Sequence, residues 1–349
     1  MANLPPRKRM PLERKPRKRK PRTPGLPRAA WAAVMRAAAR RFPPGNKYGV
    51  VAFGIRRTRS KGLAANGFGL TVYVLRKTHF PPHPVPSLSL SHAGSRLRVV
   101  PDIVGTGAAP RASGGTNASF TGLHPGAAIR VPATGELASV GCLLGSAAGP
   151  RFLLTAGHVF AEGGDAGEAV WAAPTPEEKP SCVGHLVANL LETRDRRRLG
   201  LDAPIDVALV ELTDDGVAMA NATRPRFSPG GIMRSSAADD GPAQVFSWLS
   251  GDFSAEAQVT TLPTAVHFDS AARGFYTVSG VLGTHPCITE FGDSGTALLS
   301  ADADRLLIGL CVGAYRVQSI FEPLDRALGA LRTTFSPLQG WNNPPEDPS

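Results

Sequence analysis

Apolar and polar positions change rhythm twice along the chain. Residues 1–28 have no apolar period, because seven prolines interrupt a run of charges. No element is predicted there, and the segment reads as a disordered tail. Residues 29–42 read as one short helix, ended by Pro43-Pro44-Gly45. Strand-like runs follow at 49–57 and 68–77, joined by a polar stretch that ends in Asn66-Gly67. After a Pro-rich passage at 81–86, residues 97–104 read as a third strand. Residues 29–104 therefore predict a small α/β domain, marginal on its own unless it packs on a neighbour. A Gly-, Ala- and Ser-rich linker is expected at 105–125.

From 126 to 336 the rhythm shortens to many brief apolar runs between turn clusters. They fall at 140–144, 152–156, 169–171, 207–211, 243–248, 275–281, 296–299 and 306–312. That spacing predicts a mostly β architecture, a barrel or sandwich, closed by a single late helix at 324–332. Residues 337–349 are polar and read as a loose end. Coiled coils and helical bundles do not fit 38 glycines and 32 prolines in 349 residues. No apolar stretch approaches eighteen residues, so no membrane span is predicted.

Charge changes the picture only at the N-terminus. Residues 1–28 hold eleven Lys/Arg and one acid, which leaves a net +1 on the other 321 residues out of the total of +11. The high pI thus describes the tail, and the folded part is nearly neutral. The cluster Pro16-Arg-Lys-Arg-Lys-Pro-Arg22 suits nonspecific contact with nucleic acid or an anionic surface through residues 7–28. Without interleaved aromatic residues it does not suit reading of a base sequence. No signal-peptide pattern follows the basic start, since Arg36, Arg40 and Arg41 occupy the place of an apolar core. The expectation is an intracellular protein, cytoplasmic, or nuclear in a eukaryote. Export by an unconventional route is the alternative, to be supported by a Cys287–Cys311 bridge.

Four cysteines, Cys142, Cys182, Cys287 and Cys311, lie 40, 105 and 24 residues apart with no CxxC. They make neither a disulfide scaffold nor a structural zinc site. Cys182 and His185 have ligand spacing, but one pair is half a site. No metal and no cofactor is predicted.

Three short motifs in the β region carry chemistry: Leu154-Thr-Ala-Gly-His158-Val, Asp206-Val-Ala-Leu209 and Gly292-Asp-Ser294-Gly-Thr. Singly, a histidine at a strand end is usually structural and an Asp before an apolar strand is usually a cap. Gly-Asp-Ser-Gly says more, because two glycines bracket a Ser that needs a tight, backbone-exposed turn. Together they supply a nucleophile, a base and an orienting acid, each at the edge of a predicted strand. Their order is His, Asp, Ser, at intervals of 48 and 88 residues.

In these motifs and this order the chain resembles the chymotrypsin-like (trypsin-like) serine proteases, over roughly 210 of its 349 residues. The resemblance implies a double β-barrel protease domain at 126–336, behind the small α/β domain, and a serine endopeptidase acting on protein or peptide substrates. Ser294 would be the nucleophile, His158 the general base and then acid, and Asp206 the residue that orients His158. The N–H groups of Gly292 and Ser294 would form the oxyanion hole. The chain departs from the secreted members: it has no Arg/Lys-Ile-Val-Gly-Gly activation sequence, and Val159 stands where the partner of Cys142 would be. These departures favour an intracellular, bacterial-type branch, some members of which carry a small N-terminal module. That looser likeness rests on Gly49-Val-Val-Ala-Phe-Gly-Ile55 and Leu70-Thr-Val-Tyr-Val74. By the same resemblance 287–291 and 311–315 would wall the primary pocket. Ile288, six residues before Ser294, replaces the Asp that selects Lys or Arg, which implies an apolar or small preference; Glu290 facing inward would shift it toward basic side chains. The rival from another class is a polyanion-binding or scaffolding protein that acts through the tail, with the protease fold gated or inactive.

Overall fold

The computed structural model describes residues 26–60, 63–74, 84–105, 122–146, 149–172, 181–222, 231–247, 252–260, 264–270, 272–289, 293–315, 318–332 and 339–340. The tail up to residue 25, most of the 105–125 stretch, most of 337–349, and Glu290, Phe291 and Gly292 lie outside the described residues.

The chain is mostly β, built from a closed six-stranded barrel and a curled half-barrel. Six strands close on themselves because Pro242–Ser247 pairs with both Ala257–Thr260 and Ala297–Ser300, and Leu282–His285, Gln318–Pro323 and Leu307–Tyr315 complete the ring. A second sheet curls as a half-barrel, in the order Gln339–Gly340, Cys142–Ser146, Gly149–Thr155, Ala208–Leu212, Cys182–Asn189, Ala169–Ala172, Ala128–Arg130, Leu137–Ser139. Each has its own apolar filling: Leu123, Ile129, Leu153, Phe160 and Val210 in the half-barrel, and Val245, Val259, Leu298, Ile308 and Phe321 in the closed barrel. A third cluster lies between them and joins Leu144, Leu154, Leu190 and Leu209 to Leu299, Leu310 and the late helix. Helix Leu324–Arg332 is held there by Leu324, Ala327, Leu328 and Leu331, one face at helical spacing.

The small N-terminal unit is built around helix Trp31–Arg41, which turns Val34 and Ala38 onto Phe53, Ile55, Leu70 and Val72. Its sheet runs Gly274–Ser279, Thr264–Ser270, Val50–Ser60, Leu63–Val74, Asp102–Gly105. Two of those five strands come from residues 264–279, and Ala52 lies opposite Val266.

The 97–104 run divides at Pro101. Ser95–Val99 pairs with Leu88–His92, and Asp102–Gly105 runs parallel to Leu63–Val74 in another sheet. Proline has no N–H for a ladder and fixes its own φ, so the strand cannot continue through it. The single late helix is joined by two short ones, Thr193–Arg198 and Asp214–Ala222.

Candidate active site

Strand Ala208–Leu212 pairs antiparallel with Gly149–Thr155, with Ala208 opposite Thr155. Continuing each strand past that pair brings Asp206 beside the single turn Gly157–Val159 that carries His158. Asp206 Oδ1 accepts the backbone N–H of His158 at 2.9 Å, and Oδ2 lies 2.9 Å from His158 Nδ1. The turn is fixed from behind by Asn189, whose Nδ2 donates to the Gly157 carbonyl at 2.9 Å.

Ser294 enters from the closed barrel, in the turn before Ala297–Ser300. Gly295 has φ +88°, and a Cβ there would collide with the carbonyl oxygen of Ser139 and crowd Thr155 Oγ1. Glycine alone permits this turn to lie against the half-barrel. Ser139 N–H donates to the Ser294 carbonyl at 2.7 Å, and Gly295 N–H to the Cys311 carbonyl at 2.7 Å. The result places Ser294 Oγ 2.9 Å from His158 Nε2. The three residues predicted from the motifs thus meet as one hydrogen-bonded chain, Asp206–His158–Ser294. His158 is 3% exposed, and Asp206 and Ser294 have no exposed surface. Gly292, the other expected oxyanion donor, lies outside the described residues.

Two groups at Asp206 had no signal of their own in the motifs. Tyr276 donates its O–H to Asp206 Oδ2 at 2.8 Å. Burial, and then the Asp206 carboxylate, hold the phenol well above its ordinary range, so it remains a donor. Glu322 Oε2 accepts the Asp206 backbone N–H at 3.2 Å, and its Oε1 lies 3.1 Å from Arg326 Nη1. Burial pushes the Glu322 carboxyl up to about 8, against the pull of Arg326 and of the Asp206 N–H. A lone acid inside the apolar run Ile320-Phe321-Glu322-Pro323-Leu324 was the sequence signal available for Glu322. Tyr276 sits in a run that reads only as a strand.

Around the expected pocket wall, Ser319 Oγ receives the N–H groups of Ile288 and Thr289 at 2.9 and 3.0 Å. Ile288 itself packs against the filling of the closed barrel. All four cysteines are free thiols. Burial pushes Cys142 up to about 12 and raises Cys311 as well. Cys182 Sγ lies 3.9 Å from His185 Nε2, and among the described residues no group of three His, Cys, Asp or Glu is placed to hold a metal ion. No described helix is long and apolar enough to cross a membrane.

No family model and no curated protein matches the chain. Solved structures do. A glutamic-acid-specific serine protease matches at 19% identity and a TM-score of 0.40, covering 60% of this chain and 97% of its own. The serine protease of a human pathogenic astrovirus matches at 13% identity and a TM-score of 0.32, covering 61% of this chain and 98% of its own.

Proposed function

We propose that the protein is a serine endopeptidase in which residues 126–336 form the protease domain. The observation that carries this is the unbroken hydrogen-bond chain from Asp206 Oδ2 through both nitrogens of His158 to Ser294 Oγ. Ser294 Oγ bonds to the carbonyl carbon of the peptide as its proton passes to His158 Nε2. The carbonyl electron pair moves onto oxygen, held by the N–H groups of Ser294 and Gly292; one such donor is typically worth about 3 kcal/mol of barrier. As the intermediate collapses the C–N bond breaks, and His158 returns its proton to the leaving amine. Water then gives a proton to His158 and attacks the acyl group, and Ser294 is regenerated. Asp206 fixes the ring so that Nε2 is free to accept, and stabilises the imidazolium in each half-reaction. The primary pocket takes an apolar or small side chain.

Treatment of the protein with a fluorophosphonate serine probe tests the proposal. Because Ser294 is buried, labelling also reports that the cleft opens. Labelling of wild type and none of Ser294→Ala is expected; a folded wild type that resists the probe would count against the assignment.

A further inference from the structure

The hairpin Thr264–Ser270/Gly274–Ser279 belongs to two structures at once. One of its strands pairs with Val50–Ser60 of the N-terminal unit, through Ala52↔Val266, Phe53↔Ala265 and Gly54↔Thr264. His267 ties it further to that unit: Nε2 donates to the carbonyl of Phe42, just past helix Trp31–Arg41, at 2.9 Å, and Nδ1 accepts from Thr277 Oγ1 at 2.8 Å. Below the sheet Ala52 and Tyr73 share an apolar cluster with Val266, Phe268, Val278 and Val312. The Tyr73 ring also stacks on Tyr315, 5.8 Å between centroids.

The same hairpin reaches the triad through Tyr276 and Ser270, and the segment just past His158 through Arg273. Tyr276 O–H donates to Asp206 Oδ2, the very oxygen that faces His158 Nδ1. Its ring lies nearly parallel to the imidazole, at 6.1 Å and 20°, and is backed by Phe268 across the hairpin at 5.5 Å. Ser270 Oγ donates to the backbone carbonyl of His158 at 3.1 Å. Arg273 Nη2 lies 2.6 Å from Glu192 Oε1 in a pair that is 7% and 14% exposed, and that carboxylate oxygen also accepts the N–H of Gly163, five residues beyond His158.

We propose that this hairpin is a positioning device for the triad, with Tyr276 as the residue that acts through Asp206 and the N-terminal unit as its mount. The inference rests on the endopeptidase assignment above. The two donors from His158, one on each carboxylate oxygen, tie Asp206 only to the residue it orients. A third donor on Oδ2, from a separate hairpin, anchors the carboxylate independently and holds its lone pair on Nδ1–H. The Tyr276 face also lies against the ring that becomes cationic in each half-reaction. The N-terminal unit then contributes to catalysis without touching substrate. Its sheet fixes where Ser270 and Tyr276 sit, and they fix where His158 and Asp206 sit.

Tyr276→Phe in the full chain tests this, because it removes the hydroxyl and keeps the ring. The probe-labelling rate and the kcat of a peptide substrate are expected to fall about tenfold or more, with KM unchanged, as for loss of one hydrogen bond to a charged group. The downfield proton resonance of the His158–Asp206 hydrogen bond is expected to move, a change that a purely structural role would not produce. Ser270→Ala, a smaller change, should lower the labelling rate severalfold, and it decides the question if the Tyr276 variant does not fold. Labelling rates and the resonance unchanged in folded variants would overturn the proposal. A resonance that moves in a protein whose wild type never labels would uphold the positioning role and sink the endopeptidase assignment instead.

Discussion

Asp206 is gripped on every side: its carboxylate by His158 and Tyr276, and its N–H by Glu322. The last contact has a pH consequence. The Glu322 carboxyl rises from an ordinary 4.5 to about 8 because it is buried. Between those values the folded protein keeps a proton that the unfolded chain has released. This contribution to stability is therefore complete below about 4.5, falls as pH rises, and is gone above about 8. Glu322→Gln keeps an acceptor for the Asp206 N–H but cannot titrate. Urea unfolding at pH 5, 7 and 9 should show wild type losing stability across this window relative to the variant. Parallel curves would mean that Glu322 is ionised throughout. At this scale the sequence announced His158, Asp206 and Ser294 through the residues around them, since a nucleophile's turn and a histidine's strand end need particular neighbours. Tyr276 needs none. An aromatic residue in a strand is the commonest thing there, and only the fold brings its hydroxyl to a carboxylate.

At the scale of elements, the site depends on two turns pressed together across the groove between barrels. Gly295 is the tightest point, with φ +88° and the Ser139 carbonyl where its Cβ would be. Gly295→Ala must move either the Ser294 turn or the strand that ends at Ser139. Backbone strain and overpacking together should cost roughly 2 kcal/mol or more. Because the turn carries Ser294, probe labelling should drop far more than thermal stability does, which melting and labelling of the same sample would separate. An equal, small loss in both would show that the turn relaxes without moving Ser294. The strands that lead to His158, Asp206 and Ser294, namely Gly149–Thr155, Ala208–Leu212 and Ala297–Ser300, were legible because alternation and turn clusters bracket them; Cys182–Asn189 and Thr264–Ser270 were not read as strands. Thr193–Arg198 was not, since Arg196-Arg197-Arg198 gives no apolar face. Nor was the break at Pro101, where an apolar run on both sides reads as one strand until each half finds a different partner.

For the molecule as a whole, the pairing of residues near 52 with residues near 266 is invisible in the sequence. The first was read as a strand and the second was not, and neither carries anything that names a partner more than two hundred residues away. Charge, in contrast, is written locally. Residues 1–25 hold ten Lys/Arg and one acid, a net +9 of the total +11. Leu26 already belongs to the fold, since its N–H donates to the Phe68 carbonyl and its side chain packs against the N-terminal core. A deletion ending at residue 25 therefore removes most of the net charge and keeps every described residue. It leaves a protein of net +2 whose hairpin mount is intact. Affinity of the full chain for a short DNA duplex should fall steeply with salt, as expected when several phosphates are neutralised. The deletion should abolish that binding and leave the Ser294 labelling rate unchanged. Such a result would make the tail a tether for an enzyme that works without it. Labelling lost together with binding would instead favour a scaffolding protein whose β domain depends on the tail.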